Sequence, residues 1–124
     1  MSVRLTLLLL LALTASCGVS KKSPPPELFN HWKHSHEEDT SDAKVFRTAA
    51  YSFPPSRGRE GFEIKPDGQF IRHAIGAADA PEKMNGRWAM KKKDVIEVTL
   101  DDKSVSPYLL IIQSVSKDKL ILKP

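Results

Sequence analysis

The chain has 124 residues, a formal net charge of +4 and one cysteine. This length suits a single domain, and one cysteine excludes an internal disulfide, so burial and backbone hydrogen bonds must hold the fold. The small positive charge does not favour a nucleic-acid partner.

The first residues have the pattern of a secretory signal. Arg4 precedes an apolar run over residues 5–13, which is too short for a transmembrane helix of about 20 residues. Small residues then lead to Cys17, in the sequence Leu-Thr-Ala-Ser-Cys-Gly. This stretch resembles the lipobox of bacterial lipoproteins. The alternative is an ordinary secretory signal that contains a cysteine.

The lipobox resemblance implies a location and a membrane anchor. It implies cleavage of the signal peptide, residues 1–16, and a lipid on Cys17 that holds the protein in the bacterial cell envelope. Gly18 after the cysteine favours, by analogy, an outer-membrane lipoprotein facing the periplasm. Residues 18–26 (GVSKKSPPP) lack an apolar period, so we interpret 17–26 as a lipidated tether and 27–124 as the folded domain.

Strand patterns dominate the domain. We expect a first strand over 28–36 and a second over 45–51. The clearest hairpin covers 61–76, where apolar and charged residues alternate and Pro66-Asp67-Gly68 supplies turn chemistry. This hairpin places Ile64 opposite Phe70, with both side chains in the core.

Two more hairpins follow. One covers residues 86–100 around a lysine-rich loop, and the other covers 108–122 with its turn at 116–118. A single helical turn is predicted at 79–83, with helix below about 15% of the domain. About seven strands, each with one apolar face, predict an all-β antiparallel barrel or sandwich. The predicted core residues are Phe62, Ile64, Phe70, Trp88, Ile112 and Leu122.

Three stretches carry a family resemblance. They are Gly86-Arg87-Trp88, the hairpin with its Pro-Asp-Gly turn, and the ending SVSKDKLIL at 114–122. Together they look like the small lipocalin-like barrels of bacterial envelope lipoproteins, although the Gly-x-Trp of a lipocalin first strand is missing around Trp32. The resemblance implies a small antiparallel lipocalin-like barrel with a cavity for a small apolar molecule, and no catalytic residues.

Arginines are the main candidates for binding a small anion. Arg57 and Arg59 lie in a predicted loop and can bind an anionic group bidentately; the alternative is an ion pair of Arg59 or Arg72 with Glu60, Glu63 or Glu97. Arg72 shares the face of Phe70, so it must be paired or line a wet cavity, unless a bulge turns His73 inward instead. The predicted ligand-binding residues are Arg57, Arg59, Arg72 and Trp88.

Histidines suggest a second kind of site. In an extended strand His34 and His36 share the face of Trp32 and can chelate Zn or Cu, with His73 as a candidate third ligand. The alternative is a polar strand end. The sequence shows no nucleophile elbow and no phosphate-binding loop, which favours a protein that is not an enzyme and uses no cofactor.

The sequence therefore predicts a non-enzymatic, lipid-anchored envelope protein that binds a small apolar or anionic molecule in or at a barrel mouth. One alternative is a filled barrel that docks an envelope partner. The other is an envelope metal binder using His34 and His36. The sequence leaves the oligomeric state open.

Overall fold

The structure is a computed structural model that describes residues 23–124. The predicted signal peptide, Cys17 and most of the predicted tether lie outside these residues. No helix in this part of the chain is both long and apolar enough to cross a membrane.

Eight strands make up about half of the described chain. Short 3-10 turns occur at Pro26–Leu28, His36–Glu38 and Ala77–Asp79. The strands are β1 (His31–His34), β2 (Lys44–Thr48), β3 (Gly61–Ile64), β4 (Gln69–Ile75), β5 (Pro81–Lys92), β6 (Val95–Leu100), β7 (Tyr108–Val115) and β8 (Lys119–Leu122).

The strands close into one antiparallel barrel in the order β1-β2-β8-β7-β6-β5-β4-β3. Closure comes from β1, which pairs with β2 on one side and with β3 on the other. Strands make up 51% and helical turns 9%, so the prediction of an all-β antiparallel domain with little helix is confirmed. Closure removes the free sheet edges that an open sheet would expose.

All three predicted hairpins are present. Ile64 lies opposite Phe70 between β3 and β4, as predicted. Gly68 takes φ +97° in the turn between them, a conformation that favours glycine. The other two hairpins are β5–β6 and β7–β8, and each contains one register shift.

The prediction of a helical turn at 79–83 is wrong. The helical turn lies earlier, at Ala77–Asp79, and residues from Pro81 onward already belong to β5. The physical reason is the length of the β4–β5 ladder, which continues as far as the pairing of Ile75 with Pro81. Ladder hydrogen bonds to β4 hold these residues in an extended conformation, so local propensity does not decide their structure.

One end of the barrel is filled and closed. We call it the closed end; it carries the turns at 65–68 and 116–118 and the segment 23–29. The Trp32 ring is fully buried and its Nε1 donates to the carbonyl oxygen of Leu28 at 3.0 Å. Nearby, Trp88 Nε1 donates to the Lys65 carbonyl at 2.7 Å, and the Trp88 ring lies 5.9 Å from that of Phe29. The segment before β1 thus plugs this end.

Candidate functional site

The opposite end of the barrel, which we call the mouth, contains a cavity of about 350 Å³. This volume lies within the range of small-molecule sites, about 300–1,000 Å³. Its apolar wall is formed by Phe46, Phe62, Leu110 and Leu122. Its polar lining is formed by His34, Lys44, Glu60, Arg72, His73, Tyr108 and Lys123. Apolar walls with a few polar groups are typical of sites that bind small molecules.

Arg72 reaches the cavity because of the alternation along β4. Side chains two residues apart point to the same face of a strand, so Arg72 follows the buried Phe70 toward the mouth, directly opposite Phe62 in the ladder. Its guanidinium carbon lies 5.8 Å from the centre of the Tyr108 ring. The sequence allowed either an inward Arg72 or a bulge that turns His73 inward. The structure has the first arrangement, and Arg72 lines the cavity.

The side chains that line the cavity carry an excess of positive charge. Lys44, Arg72 and Lys123 are cationic, and Glu60 is the one acidic side chain among the described lining residues. Within residues 23–124, Arg72 forms no ion pair with a carboxylate. Burial raises the pKa of Tyr108, although the nearby charge of Arg72 opposes that effect. Tyr108 therefore stays a neutral hydroxyl near pH 7 and can donate a hydrogen bond.

Arg59 lies in an ion pair outside the cavity. Its Nη1 donates to Glu37 at 2.8 Å and to the carbonyl oxygen of His34 at 3.0 Å, and the guanidinium stacks over the Phe53 ring at 4.5 Å. Hydrogen bonds from Arg59 lower the pKa of Glu37 to about 2. Arg59 therefore forms an ion pair, which was the alternative to ligand binding considered from the sequence. Its partner is Glu37 and not one of the three glutamates named there.

A second ion pair holds the same rim of the mouth. Arg47 donates to both carboxylate oxygens of Glu38, at 2.8 and 2.7 Å, and the Ser35 hydroxyl donates to Glu38 at 2.8 Å. The Arg47 hydrogen bonds lower the pKa of Glu38 to about 2. The two pairs fix the turn His36–Glu38 against β2 and the loop that precedes β3.

Of the residues predicted for ligand binding, the structure places Arg72 in the lining of the cavity. Arg57 is exposed in the loop before β3, and Arg59 is engaged with Glu37. Trp88 is partly buried at the closed end, where it packs against the core. The described structure does not bring these three residues to the cavity.

Three cavity residues, Tyr108, Lys44 and Lys123, were missed by the sequence reasoning. Tyr108 begins β7 in the same phase as the inward Leu110 and Ile112, so strand alternation alone was sufficient to find it. Lys44 begins β2 in the phase of the buried Phe46, with its Nζ 5.9 Å from the Phe46 ring. We predicted the second strand from residue 45, one residue too late to include it.

The predicted histidine pair does not form part of a three-residue cluster in the described structure. His34 Nε2 lies 2.8 Å from Asp39, whereas His36 lies in the 3-10 turn after β1, with the two ring centres 6.0 Å apart. Within residues 23–124, the group of three side chains suited to a metal is His31, Glu63 and His73. Of the histidines predicted for metal binding, His73 belongs to this group, whereas its other members are His31, on the same strand as His34, and Glu63 on β3.

Comparison of the chain with models of protein families, with curated proteins and with solved structures found no match.

Proposed function

We propose that this protein is a lipid-anchored protein of the bacterial cell envelope whose barrel mouth binds a small amphipathic anion. The observation that carries the binding proposal is Arg72, a partly buried cation without a carboxylate partner among the described residues, facing a cavity with apolar walls. A partly buried charge is costly unless it is paired. The anionic head of an amphipathic ligand would pair with Arg72, and its apolar tail would pack against the cavity walls.

The chemistry of the mouth sets the ligand class. The guanidinium of Arg72 can bind a carboxylate or a phosphate bidentately, while Lys44 and Lys123 add positive charge around it. Phe46, Phe62 and Leu110 offer apolar contact to the ligand's tail. We propose binding as the function, since the described residues of the mouth offer charge and apolar contact to a ligand.

Calorimetric titration with octanoate and with octanol tests this proposal, because the two probes share a tail and differ in charge. We expect octanoate to bind saturably and more tightly than octanol. Replacing Arg72→Gln should weaken octanoate binding about 10-fold, the loss expected for one charge-assisted hydrogen bond, and leave octanol unaffected. Arg57→Gln, the same change at an exposed arginine, is the matched control. Equal affinities of the parent and R72Q for octanoate would contradict the proposal.

The anchor proposal rests on the sequence around Cys17. Cys17→Ala should leave the protein unprocessed or released from the membrane fraction. Metabolic labelling with a fatty acid, followed by membrane fractionation, measures both effects. Processing and membrane attachment that do not change in C17A would contradict the lipid anchor without bearing on ligand binding at the mouth.

A further inference from the structure

The outer surface of the barrel carries a group of metal-ligand side chains, of which only His73 also borders the mouth cavity. His31, Glu63 and His73 lie on β1, β3 and β4, three neighbouring strands of the wall. Each alternates with an inward residue, so all three point outward. The inward neighbours are Trp32, Phe62 and Arg72. The three side chains therefore project from the outer face of the wall, and His73 lies where this face borders the mouth cavity.

The strand register brings the three side chains together. His31 lies opposite Glu63 between β1 and β3, and His73 lies opposite Gly61 between β3 and β4. Gly61 has no side chain to separate them, and the His31 and His73 rings stack with their centres 4.5 Å apart. A Cβ at Gly61 would lie 2.1 Å from the carbonyl oxygen of Trp32, so the close approach of β1 and β3 requires glycine here.

The contacts within the group match a set of metal ligands. His73 Nε2 lies 2.6 Å from Glu63 Oε2, and one ligand atom from each residue lies within 4.8 Å of the other two. Ligand atoms around a tetrahedral Zn²⁺ are about 3.3–3.5 Å apart. Small side-chain rotations are therefore enough to enclose an ion. All three residues are partly buried, which leaves a solvent-facing position for a water ligand.

We propose that His31, Glu63 and His73 bind a divalent transition-metal ion of the Zn²⁺ class on the outer wall of the barrel. Two imidazole nitrogens and one carboxylate are donors that Zn²⁺ and Cu²⁺ accept, whereas Ca²⁺ and Mg²⁺ require mainly oxygen ligands. When the metal binds, the proton that His73 Nε2 shares with Glu63 leaves this nitrogen. It moves either to Nδ1 of the same ring or to solvent. The ion replaces this hydrogen and joins β1, β3 and β4 through side chains.

The site also has features that argue against nonspecific attraction of cations. Lys33 lies opposite Gly61 on one side of β3, and Lys83 lies opposite His73 on β5. These two lysines give the surrounding surface a positive charge, which repels hydrated cations that are held by charge alone. The same charge also opposes a coordinated ion, so binding here depends on direct bonds from the two imidazoles and Glu63.

Titration of the metal-stripped full chain with Zn²⁺ tests the proposal. We expect saturable binding of about one ion per chain. Because the loss of an outer-shell partner alone costs about 10–100-fold in metal affinity, loss of a direct ligand in His31→Ala or His73→Ala should weaken binding about 100-fold or more, and Glu63→Gln at least about 10-fold. Residues 1–26 are the same in every variant, so any metal bound there is common to all of them.

The double variant His34→Ala, His36→Ala is the matched control, since it removes two histidines near the mouth and keeps the proposed ligands. It should bind Zn²⁺ as the parent does. The visible absorption of bound Co²⁺ should show tetrahedral coordination in the parent and lose it in H73A. Circular dichroism of the metal-free variants checks that each one is folded. No saturable binding in the parent, unchanged affinity in E63Q and H73A, or loss of binding in the H34A/H36A control would each overturn the proposal.

Discussion

The closed end and the mouth of the barrel are built from the same alternation of inward and outward residues, yet one is filled and the other holds a cavity. At the closed end, inward positions carry large apolar side chains, and the segment before β1 adds Leu28 and Phe29 beneath them. At the mouth, inward positions carry Arg72 and Tyr108, and ion pairs hold the rim. The difference shows that the inward strand residues and the segment before β1 together decide which end of this barrel stays open.

The two ends also differ in what stabilises them. Trp32 and Leu28 are fully buried, so the closed end depends on apolar packing that varies little with pH or salt. The mouth rim depends on the pairs Arg59–Glu37 and Arg47–Glu38, whose partners are partly exposed. We therefore expect substitutions at the closed end to change stability, and substitutions at the mouth to change mainly ligand binding.

The largest expected effect is the loss of Trp32. Trp32→Ala removes a fully buried ring and leaves the Leu28 carbonyl without its donor, so it should lower the free energy of unfolding by about 3–5 kcal/mol. Leu110→Ala, which shortens a partly buried residue of the cavity wall, should cost clearly less. Urea unfolding followed by circular dichroism measures both losses. Equal losses would remove the distinction between the two ends.

A smaller effect is expected in the turn at the closed end. Gly68 has φ +97°, so Gly68→Val forces a β-branched residue into a conformation that costs about 1–3 kcal/mol. Thermal unfolding should show a lower melting temperature with octanoate affinity unchanged. A melting temperature equal to that of the parent would show that the turn relaxes to another conformation.

The ion pairs at the mouth predict a dependence on acid pH. Glu37 and Glu38 have pKa values of about 2 in the fold against a usual value of 4.5. Their stabilising effect is therefore complete above about pH 5 and is lost as the pH falls toward about 2. Because Glu38 is partly exposed, Glu38→Gln should cost less than about 1 kcal/mol at neutral pH, and its difference from the parent should shrink in acid.

A series of urea unfolding curves between neutral and acid pH measures this dependence. Glu60→Gln is the control, because it makes the same change at a mouth carboxylate that forms no ion pair in the described structure. A parent–E38Q difference that stays constant with pH would contradict the role assigned to the Arg47–Glu38 pair.

The smallest effect on stability is expected at Arg72. Arg72→Met replaces a cation without a carboxylate partner by an apolar side chain, a change that should alter the free energy of unfolding by less than about 1 kcal/mol. The same variant should lose octanoate affinity. A loss of stability as large as that of W32A would mean that Arg72 supports the fold.

Local patterns were enough to predict much of the barrel. Alternation and turn chemistry predicted the Ile64–Phe70 pair and gave an inward Arg72 as one of two possible arrangements, because both depend on neighbours within one hairpin. The plug at the closed end was not predicted, since Leu28 was interpreted as part of the first strand. Its position depends on the hydrogen bond from Trp32, which forms only once β1 has its place in the barrel.

The outer histidine group shows a second limit. His31 and His73 meet through the pairing of β1 with β3 and of β3 with β4, and a single sequence does not specify the register between strands that are distant in the chain. The sequence hypothesis grouped histidines by spacing along one strand, which brought forward His34 and His36. Spacing along the chain cannot report neighbours across a sheet.

We propose that the mouth of the barrel binds a small amphipathic anion and that the closed end does not. Amide chemical-shift mapping during an octanoate titration tests it most directly. We expect saturable shifts at mouth residues such as Arg72, Tyr108 and Leu110, with little change at Leu28, Ile64 and Leu120 of the filled interior. Shifts centred on the filled interior, or no saturable shifts at all, would contradict it.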